Sequence, residues 1–425
     1  MTKQELFHII ADQRKLTGTG EGVIEREKYS EALSKDNFIR VFSGIRRSGK
    51  STLLQYIRSK KPEKDFYVNF DDERLLHFQV DDFQKMHEVF LKEFGHQTTF
   101  YFDEIQNIPH WERFVRRLYE EGSKIYITGS NAHLLSKELG THLTGRYIQT
   151  ELFPFSFREF FIYREYTFQD ITFFSTEEKV RMQKYFSEYV LRGGFPEFLK
   201  TENPDYLQSL YESILYRDII VRHGLPHERT LRDLVLFCAS NIGKSISYNK
   251  LKHHLGVGSA TSVKEYLSYF EDSYLFFTLP KFDYSVKKQL YAPKKIYCID
   301  TGLARKIGFH FTQDAGRYLE NVVFLELRRW HQDIFYHKKK NECDFLVREK
   351  GAITHAIQVT MSLEDSETKQ REIAGLLEAM EAYNLDTGLI LTEEEEGEEA
   401  HEVAGKKVMV KIVPIWKWLL EKVHV

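Results

Sequence analysis

Cysteines and long apolar runs are scarce in this chain of 425 residues. The three cysteines lie far apart and form no C-x-x-C spacing, which argues against a disulfide framework and against a structural zinc site. No window approaches the roughly 18 consecutive apolar residues of a membrane-spanning helix, and the N-terminal residues lack the pattern of a signal peptide. We therefore expect a cytoplasmic protein that does not associate with a membrane.

An excess of charge of either sign is also missing. Lysine and arginine number 60 and aspartate and glutamate 63, which gives a formal net charge of −3. A chain with this balance has no overall field to attract polyanions, so any contact with nucleic acid would need a local basic patch. The length, in contrast, is sufficient for two to four domains, each with its own core.

The segment SGIRRSGKST, residues 43–52, matches the spacing G-x-x-x-x-G-K-[ST]. A short apolar strand is predicted before it, over Phe38 to Phe42, and a helix after it, over Thr52 to Arg58. A glycine-rich loop between a strand and a helix turns backbone N–H groups toward a phosphate. The predicted nucleotide-binding residues are therefore Gly44, Ile45, Arg46, Arg47, Ser48, Gly49, Lys50, Ser51 and Thr52.

Two residues of this loop have a specific expected task. Lys50 would reach the outer phosphates of a nucleotide, and Ser51 would place its hydroxyl on Mg²⁺. The sequence thus predicts ATP and Mg²⁺ as the ligands of this segment.

A pair of acids follows a second predicted strand, Thr98 to Phe102. In open α/β sheets, ligand-binding groups stand at the carboxyl ends of strands. We expect Asp103 to hold the metal, and Glu104 to act as the base that polarises the attacking water. A third strand, in KIYITGS, ends before Ser130 and Asn131, and a polar side chain there can contact the γ-phosphate and sense the state of the nucleotide.

Several motifs together resemble a prokaryotic family of AAA-type P-loop ATPases with a C-terminal domain of unknown function. They run in the family's order: SGIRRSGKST, YFDEIQN, ITGSNAHLLSKEL, LTGRYIQTELFPFSFREF, YVLRGGFPE and LYRDIIVR. The resemblance implies a catalytic role for Arg146, in LTGRY, either on the protein's own nucleotide or as an arginine finger in a neighbouring subunit of a homo-oligomer. It also implies that Arg46 or Arg47 caps the nucleotide.

The fold class expected from these patterns is α/β, with four domains. Residues 1–150 would form the P-loop ATPase core with its parallel sheet, 151–225 a helical lid, 226–292 a winged helix, and 293–425 a restriction-endonuclease-like domain. The second helix of the predicted helix-turn-helix carries Lys264 but also Glu265 and Glu271, a poor match for DNA phosphates. We therefore expect this winged helix to bind a protein partner, with nucleic acid as the alternative favoured by the lysines of its wing.

The C-terminal 130 or so residues show the order helix, three strands, helix, strand, which resembles restriction-endonuclease-like domains. That resemblance implies metal-binding acids at Glu320, on the helix, and at Asp344, on the second strand. The expected E-x-K is replaced by Gln358-Val359-Thr360, an amide and a hydroxyl where an acid and a lysine should stand. In the nuclease hypothesis, one of the three lysines that directly precede the second strand would restore the cation: Lys338, Lys339 or Lys340.

Three hypotheses for function remain open at this stage. The first is an ATP-hydrolysing switch in which nucleotide state moves the modules that bind a partner. The second is an ATP-gated, metal-dependent nuclease that uses Glu320 and Asp344. The third is a scaffold that binds ATP with little turnover.

Overall fold

The computed structural model describes residues 1–15, 23–29, 36–61, 65–130, 140, 142–164, 175–309 and 315–421. The chain divides into two compact units. Unit 1 consists of Met1–Pro154 together with Asp272–Tyr274, and unit 2 of Phe155–Glu271 and Leu275–Val425.

Unit 1 contains a five-stranded sheet in which all strands are parallel, with the order β2-β3-β4-β1-β5. Its strands are β1 (Ile39–Ser43), β2 (Asp65–Asn69), β3 (Thr99–Asp103), β4 (Lys124–Gly129) and β5 (Tyr147–Glu151). Every residue of β1 and β3 is buried. Continuous burial is typical of parallel strands that are covered on both faces.

Helices cover the two faces of this sheet because alternate residues of a strand point to opposite sides. The helices are α1 (Lys3–Lys15), α2 (Lys50–Lys60), α3 (Asp82–Phe94) and α4 (Trp111–Glu120). Phe100 and Phe102 of β3 pack in the apolar cluster that includes residues of α1, α3 and α4. Tyr101, between them, packs in the cluster that includes the apolar residues of α2.

Unit 2 begins with a helical segment. It contains α5 (Phe157–Tyr163), α6 (Thr176–Arg192), α7 (Pro196–Thr201), α8 (Pro204–Ser213) and a π-helical stretch, Ile214–Val221. Capping boxes start α5 at Ser156 and α6 at Ser175. The helical character predicted for this segment is confirmed, with a break at Gly193 between α6 and α7, whereas the role of these helices as a lid stays a prediction.

A small three-stranded sheet follows within unit 2. The elements are α9 (Glu228–Ser240), β6 (Ser245–Ile246), α10 (Tyr248–His254), α11 (Ala260–Asp272), β7 (Phe276–Leu279), α12 (Val286–Tyr291) and β8 (Lys294–Cys298). The antiparallel order β6-β8-β7 makes β8 the central strand. The central strand thus lies after residue 292, where the sequence predicted a domain boundary.

The C-terminal part of unit 2 is a six-stranded mixed sheet with helices. Its elements are α13 (Thr301–Ile307), α14 (Ala315–Trp330), β9 (Ile334–Lys338), β10 (Glu342–Glu349), β11 (Ala352–Val359), α15 (Ser366–Tyr383), β12 (Thr387–Thr392), β13 (Gly397–Val403), β14 (Lys406–Pro414) and α16 (Ile415–Leu420). The strand order is β13-β14-β12-β11-β10-β9. The predicted succession of helix, three strands, helix and strand corresponds to α14 through β12.

No helix in the described part of the chain combines the length and apolarity needed to cross a bilayer. The three cysteines are buried and unbridged, as the sequence predicted.

Candidate nucleotide site in unit 1

The loop between β1 and α2 can only be built around glycine at two positions. Gly44 has a φ of +147°, and a Cβ added to it would lie 2.1 Å from the carbonyl oxygen of Leu152, just beyond β5. Gly49, at the start of α2, has a φ of +98°. Both values lie in a region that residues with a side chain rarely adopt. The glycine spacing read from the sequence therefore reflects the backbone path of this loop.

Lys50 folds back over the loop that precedes it. Its side chain is only 3% exposed, and Nζ donates hydrogen bonds of 3.0 Å to the carbonyl oxygens of both Gly44 and Ile45. Nζ also lies 3.7 Å from Oε1 of Glu104. The ammonium thus stands between the loop and the acidic end of β3, where a phosphate could join it.

Asp103, the last residue of β3, accepts hydrogen bonds from three hydroxyl groups. Ser51 Oγ donates to its Oδ1 over 3.0 Å, Thr128 Oγ1 donates to the same oxygen, and Tyr67 OH donates to Oδ2 over 3.3 Å. The sequence predicted that Ser51 and Asp103 share a metal, and the structure brings their oxygens together. A hydroxyl and a carboxylate are the hard oxygen ligands that Mg²⁺ prefers, so this pair fits the ion.

The two acids titrate differently. Burial, with the neighbouring charge of Glu104, raises the pKa of Asp103 to about 6. Burial would also raise the pKa of Glu104, but the Lys50 ammonium and the Gln106 amide outweigh it, and the net pKa is lowered. Glu104 therefore remains an ionised base at neutral pH.

Glu104 is held in an unusual conformation at the start of a short 3-10 turn. Its φ is +52°, which is uncommon for a residue with a side chain and is often found at functional sites. Its N–H donates to Thr128 Oγ1 over 2.9 Å, and its Oε2 accepts from Gln106 Nε2 over 2.5 Å. Gln106 Oε1 is buried without a hydrogen-bond partner among the described residues. An acceptor is therefore available beside the base.

Ser130, one of the two predicted sensor residues, lies in the same network. Its side chain is buried, and its Oγ accepts a 3.4 Å hydrogen bond from Gln106 Nε2. Asn131, the other candidate, lies outside the described residues. The sensor role remains a prediction for both.

Four residues of the site were not singled out from the sequence: Arg26, Tyr67, Gln106 and Thr128. Arg26 is buried, and its guanidinium donates to the carbonyl oxygens of Ser48, in the loop, and Phe153. Arg26 belongs to no recognisable motif, because its contacts with Ser48 and Phe153 depend on the path of the folded chain. Thr128 lies near the carboxyl end of β4, and Gln106 follows the carboxyl end of β3. These positions beside the acidic strand end could have been recognised from the sequence.

The arginines predicted to act on the nucleotide are placed differently. Arg46 Nη1 lies 4.0 Å from Asp71 Oδ2, and Arg47 is exposed with a φ of +66°. Arg146 precedes β5, whose first residue pairs with Ile39 at the start of β1. The loop follows the opposite end of β1, about 15 Å away along the strand. This geometry argues against action of Arg146 on the nucleotide of its own subunit.

Comparison with known proteins agrees with this geometry. A family model described as "AAA domain" matches residues 36–161. Two relatives, both uncharacterized proteins, match along most of the chain. One, from Methanocaldococcus jannaschii, is 36% identical and covers 93% of each chain; the other, from Haemophilus influenzae, is 31% identical and covers 94% of this chain and all of its own.

The chain belongs to their family of AAA-type P-loop ATPases. Models of two domains of unknown function, DUF8612 and DUF4143, match residues 183–313 and 315–418 of this ATPase. Among solved structures, the Holliday junction branch migration motor RuvB of Thermotoga maritima aligns at 14% identity and a TM-score of 0.31, covering 60% of this chain and 89% of its own. A signal transduction ATPase of Pyrococcus horikoshii aligns at 14% identity and a TM-score of 0.28, and the alignment covers 72% of this chain and 46% of its own.

The C-terminal part of this ATPase contains a second lysine among acids. Lys295 Nζ lies 3.0 Å from Glu320 Oε1, 2.8 Å from Glu342 Oε1 and 2.8 Å from Asp344 Oδ1. Burial would lower the pKa of Lys295, but Asp344, Glu320 and Glu342 raise it well above its usual value. We call these four residues the Lys295 cluster. Lys338, one of the three lysines considered from the sequence, lies 2.9 Å from Oε2 of Glu342, whereas the ammonium beside Glu320 and Asp344 is that of Lys295, on β8 of a different sheet.

The two residues at the position of the missing E-x-K lie beside this cluster. Gln358 Oε1 accepts from the N–H of Asp344 over 3.2 Å, and its Nε2 donates to Glu372. Thr360 Oγ1 donates to the carbonyl oxygen of Ser362 over 3.3 Å. In the described part of the chain, no group of three or more His, Cys, Asp and Glu side chains is arranged to hold a metal ion.

Proposed function

We propose that this protein is an ATP-hydrolysing switch, in which the nucleotide bound in unit 1 controls modules that dock on a partner. One observation carries the proposal. A hydroxyl and a carboxylate on adjoining elements, Ser51 and Asp103, lie 3.0 Å apart beside Lys50 and an ionised Glu104. Phosphoryl transfer needs this combination of metal ligands, cation and base.

Each side chain has a task in the proposed reaction. The backbone of residues 44–49 and the Lys50 ammonium bind the phosphates of ATP, with Ser51 and Thr52 at the start of α2. Ser51 and Asp103 would hold Mg²⁺, which neutralises charge on the phosphates when bound. Glu104 accepts a hydrogen bond from the attacking water and orients it, while Gln106 and Ser130 hold the Glu104 side chain in place.

A route from this site to the rest of the chain begins at Ser43, directly before Gly44. Ser43 Oγ accepts hydrogen bonds of 2.8 Å from both Gln149 Nε2 and Tyr274 OH. Tyr274 is 1% exposed, has a φ of +61°, and belongs to the three residues between α11 and β7 that are part of unit 1. We propose that this contact passes a movement of the loop to the chain that flanks β7.

The partner is proposed to dock on the segment from Lys244 to Lys295, which we interpret as a winged helix. Apart from the buried Lys295, this segment has eight lysines against four acidic residues, although the whole chain is slightly acidic. A cavity of about 420 Å³, lined by Tyr248, Lys264 and Tyr291 among others, lies between α10, α11 and α12. Exposed aromatic and basic side chains together suit an acidic protein surface, with nucleic acid as the alternative outcome.

The proposal for Arg146 is action in trans, as an arginine finger in a homo-oligomer of the cytoplasm. Subunits with Arg146→Ala are mixed with subunits carrying Glu104→Gln. Recovery of hydrolysis in the mixture, but in neither variant alone, would show a site shared between subunits.

The switch is tested by measuring phosphate release with and without a panel of DNA and RNA, with a parallel assay for cleavage. We expect Mg²⁺-dependent release by the wild-type protein and a loss of about 100-fold or more in Glu104→Gln, because general-base catalysis contributes this much. Glu104→Gln should still bind ATP. Equal phosphate release by the two proteins would contradict the assignment, and an absence of release from both would favour an ATP-binding scaffold.

A further inference from the structure

The Lys295 ammonium is enclosed by carboxylates. It donates hydrogen bonds to Glu320 Oε1 and Asp344 Oδ1, and it forms an ion pair of 2.8 Å with Glu342 Oε1. The Lys295 side chain is 2% exposed. Glu320 projects from α14, and the other two acids alternate on β10, so three segments of the chain converge on this one nitrogen.

Each of these carboxylates accepts a further hydrogen bond. Glu320 Oε1 accepts one of 2.6 Å from Tyr297 OH, two residues along β8 from the lysine. Asp344 Oδ2 accepts from the N–H of Val359 over 3.0 Å, and Glu342 Oε2 accepts from Lys338 Nζ over 2.9 Å. The position at which the three carboxylates converge is thus held by the ammonium, and a divalent cation at that position would have to replace it.

Carboxylate oxygens are the type of ligand that a hard divalent cation prefers, but among the described residues these three are not arranged to hold a metal ion, and an ammonium lies between them. We propose that the Lys295 ammonium permanently takes the place of such a cation, so that this cluster binds no metal and instead anchors β8 to the C-terminal sheet. The inference does not depend on the nucleotide site of unit 1. It means that the three-stranded sheet and the C-terminal sheet, joined at one buried nitrogen, act on a partner as a single body.

An opposing interpretation would make Lys295 a catalytic lysine that stabilises the charge on a scissile phosphate. That role requires a free N–H to face the substrate. In the structure the Lys295 side chain is buried, and three carboxylate oxygens lie within 3.0 Å of its nitrogen, where a substrate phosphate would meet their negative charge. Gln358 does not restore a ligand either, because its side chain bonds to the Asp344 backbone and to Glu372.

The test is a Mn²⁺ titration followed by electron paramagnetic resonance, without nucleotide. Every protein carries Asp103→Asn, which removes the metal ligand of unit 1. Four arms are compared: no further change, Asp344→Asn, Lys295→Ala and Lys295→Met. We expect Mn²⁺ binding to be the same in the first two arms, and to be at least tenfold tighter in Lys295→Ala, because the vacated space exposes the three carboxylates. Lys295→Met, which removes the charge but fills the space, should gain less.

Two results would overturn the proposal. One is Mn²⁺ binding in the first arm that Asp344→Asn weakens tenfold or more. The other is Mg²⁺-dependent cleavage of DNA by the wild-type protein that is lost in both Asp344→Asn and Lys295→Ala. If Lys295→Ala fails to fold, the comparison of the first two arms still decides, since a metal site in the native cluster must depend on Asp344.

Discussion

Two buried lysines of this protein, Lys50 and Lys295, lie close to acidic side chains, but they donate to different kinds of acceptor. Lys50 donates to two backbone carbonyl oxygens and lies 3.7 Å from a carboxylate oxygen of Glu104. Lys295 is within 3.0 Å of three carboxylates. Each site also has a tyrosine that donates to one of its acids, Tyr67 in the first and Tyr297 in the second.

This difference indicates that the first site can bind a charged ligand, whereas in the second site the Lys295 ammonium already serves as the cation. In the first, Asp103 is bonded by hydroxyl groups, which can remain in place or become ligands when Mg²⁺ arrives. In the second, the acids are neutralised by a covalently attached cation. Residue content alone, a lysine with acids and a tyrosine, therefore does not define function. The acceptors to which the lysine donates, carbonyl oxygens in the first site and carboxylates in the second, distinguish the two sites.

The largest effect is expected from removing the internal cation of the second site. Lys295→Met should lower the free energy of unfolding by about 3–5 kcal/mol, because three buried carboxylates lose their counter-ion. The measurement is chemical denaturation, with Lys294→Met, its neighbour on β8, as the control. Adding Glu320→Gln and Asp344→Asn to Lys295→Met should recover part of the loss, and a Lys295→Met protein as stable as the control would contradict the ion-pair account.

The matching change in the first site should affect ligand binding more than stability. Lys50→Ala is expected to weaken ATP binding by about 100-fold, since one or two charge-assisted hydrogen bonds of about 1.5–3 kcal/mol each are lost. Lys60→Ala, at the exposed end of the same helix, is the control and should bind normally. A titration with a fluorescent ATP analogue measures both. Tight binding by Lys50→Ala would mean that the loop does not hold the phosphates.

A smaller effect is expected from pH. The folded-state pKa of Asp103, about 6, lies above its unfolded value. The fraction of Asp103 that is protonated therefore rises as pH falls through 6, whereas Mg²⁺ binding requires the ionised carboxylate. Mg²⁺-dependent ATP affinity should therefore be about four-fold weaker at pH 5.5 than at pH 7.5. Calorimetric titrations at both pH values measure this ratio. The same ratio in Asp103→Asn would assign the pH dependence to another group.

The first site was largely predictable because its residues are close in sequence or mark strand ends. The spacing of Gly44 to Ser51 and the position of Asp103 after an apolar strand sufficed, and the structure brings Ser51 and Asp103 together. Arg26 was missed because its contacts with the loop and with Phe153 follow from the path of the chain. For Arg146 the family resemblance left open whether it acts in its own subunit or in a neighbour, because a resemblance gives no information on which end of a strand a residue occupies.

The second site could be predicted only in part. Glu320 and Asp344 were found from the order of elements, but their cation was sought nearby, at Lys338 to Lys340. Lys295 was counted among the lysines of the wing, because it lies on a strand of another sheet, 49 residues before Asp344. A signal was present, since Lys295 and Tyr297 are two residues apart on β8 and therefore lie on one face of the strand, and a lysine on a buried face needs polar partners.

The contrast between the two sites is tested most directly by Mn²⁺ binding in the presence of a non-hydrolysable ATP analogue, followed by electron paramagnetic resonance in the wild-type protein, Asp103→Asn and Asp344→Asn. We predict one nucleotide-dependent Mn²⁺ site that is lost in Asp103→Asn and unchanged in Asp344→Asn. Nucleotide-dependent binding that survives Asp103→Asn, or that disappears in Asp344→Asn, would contradict the account.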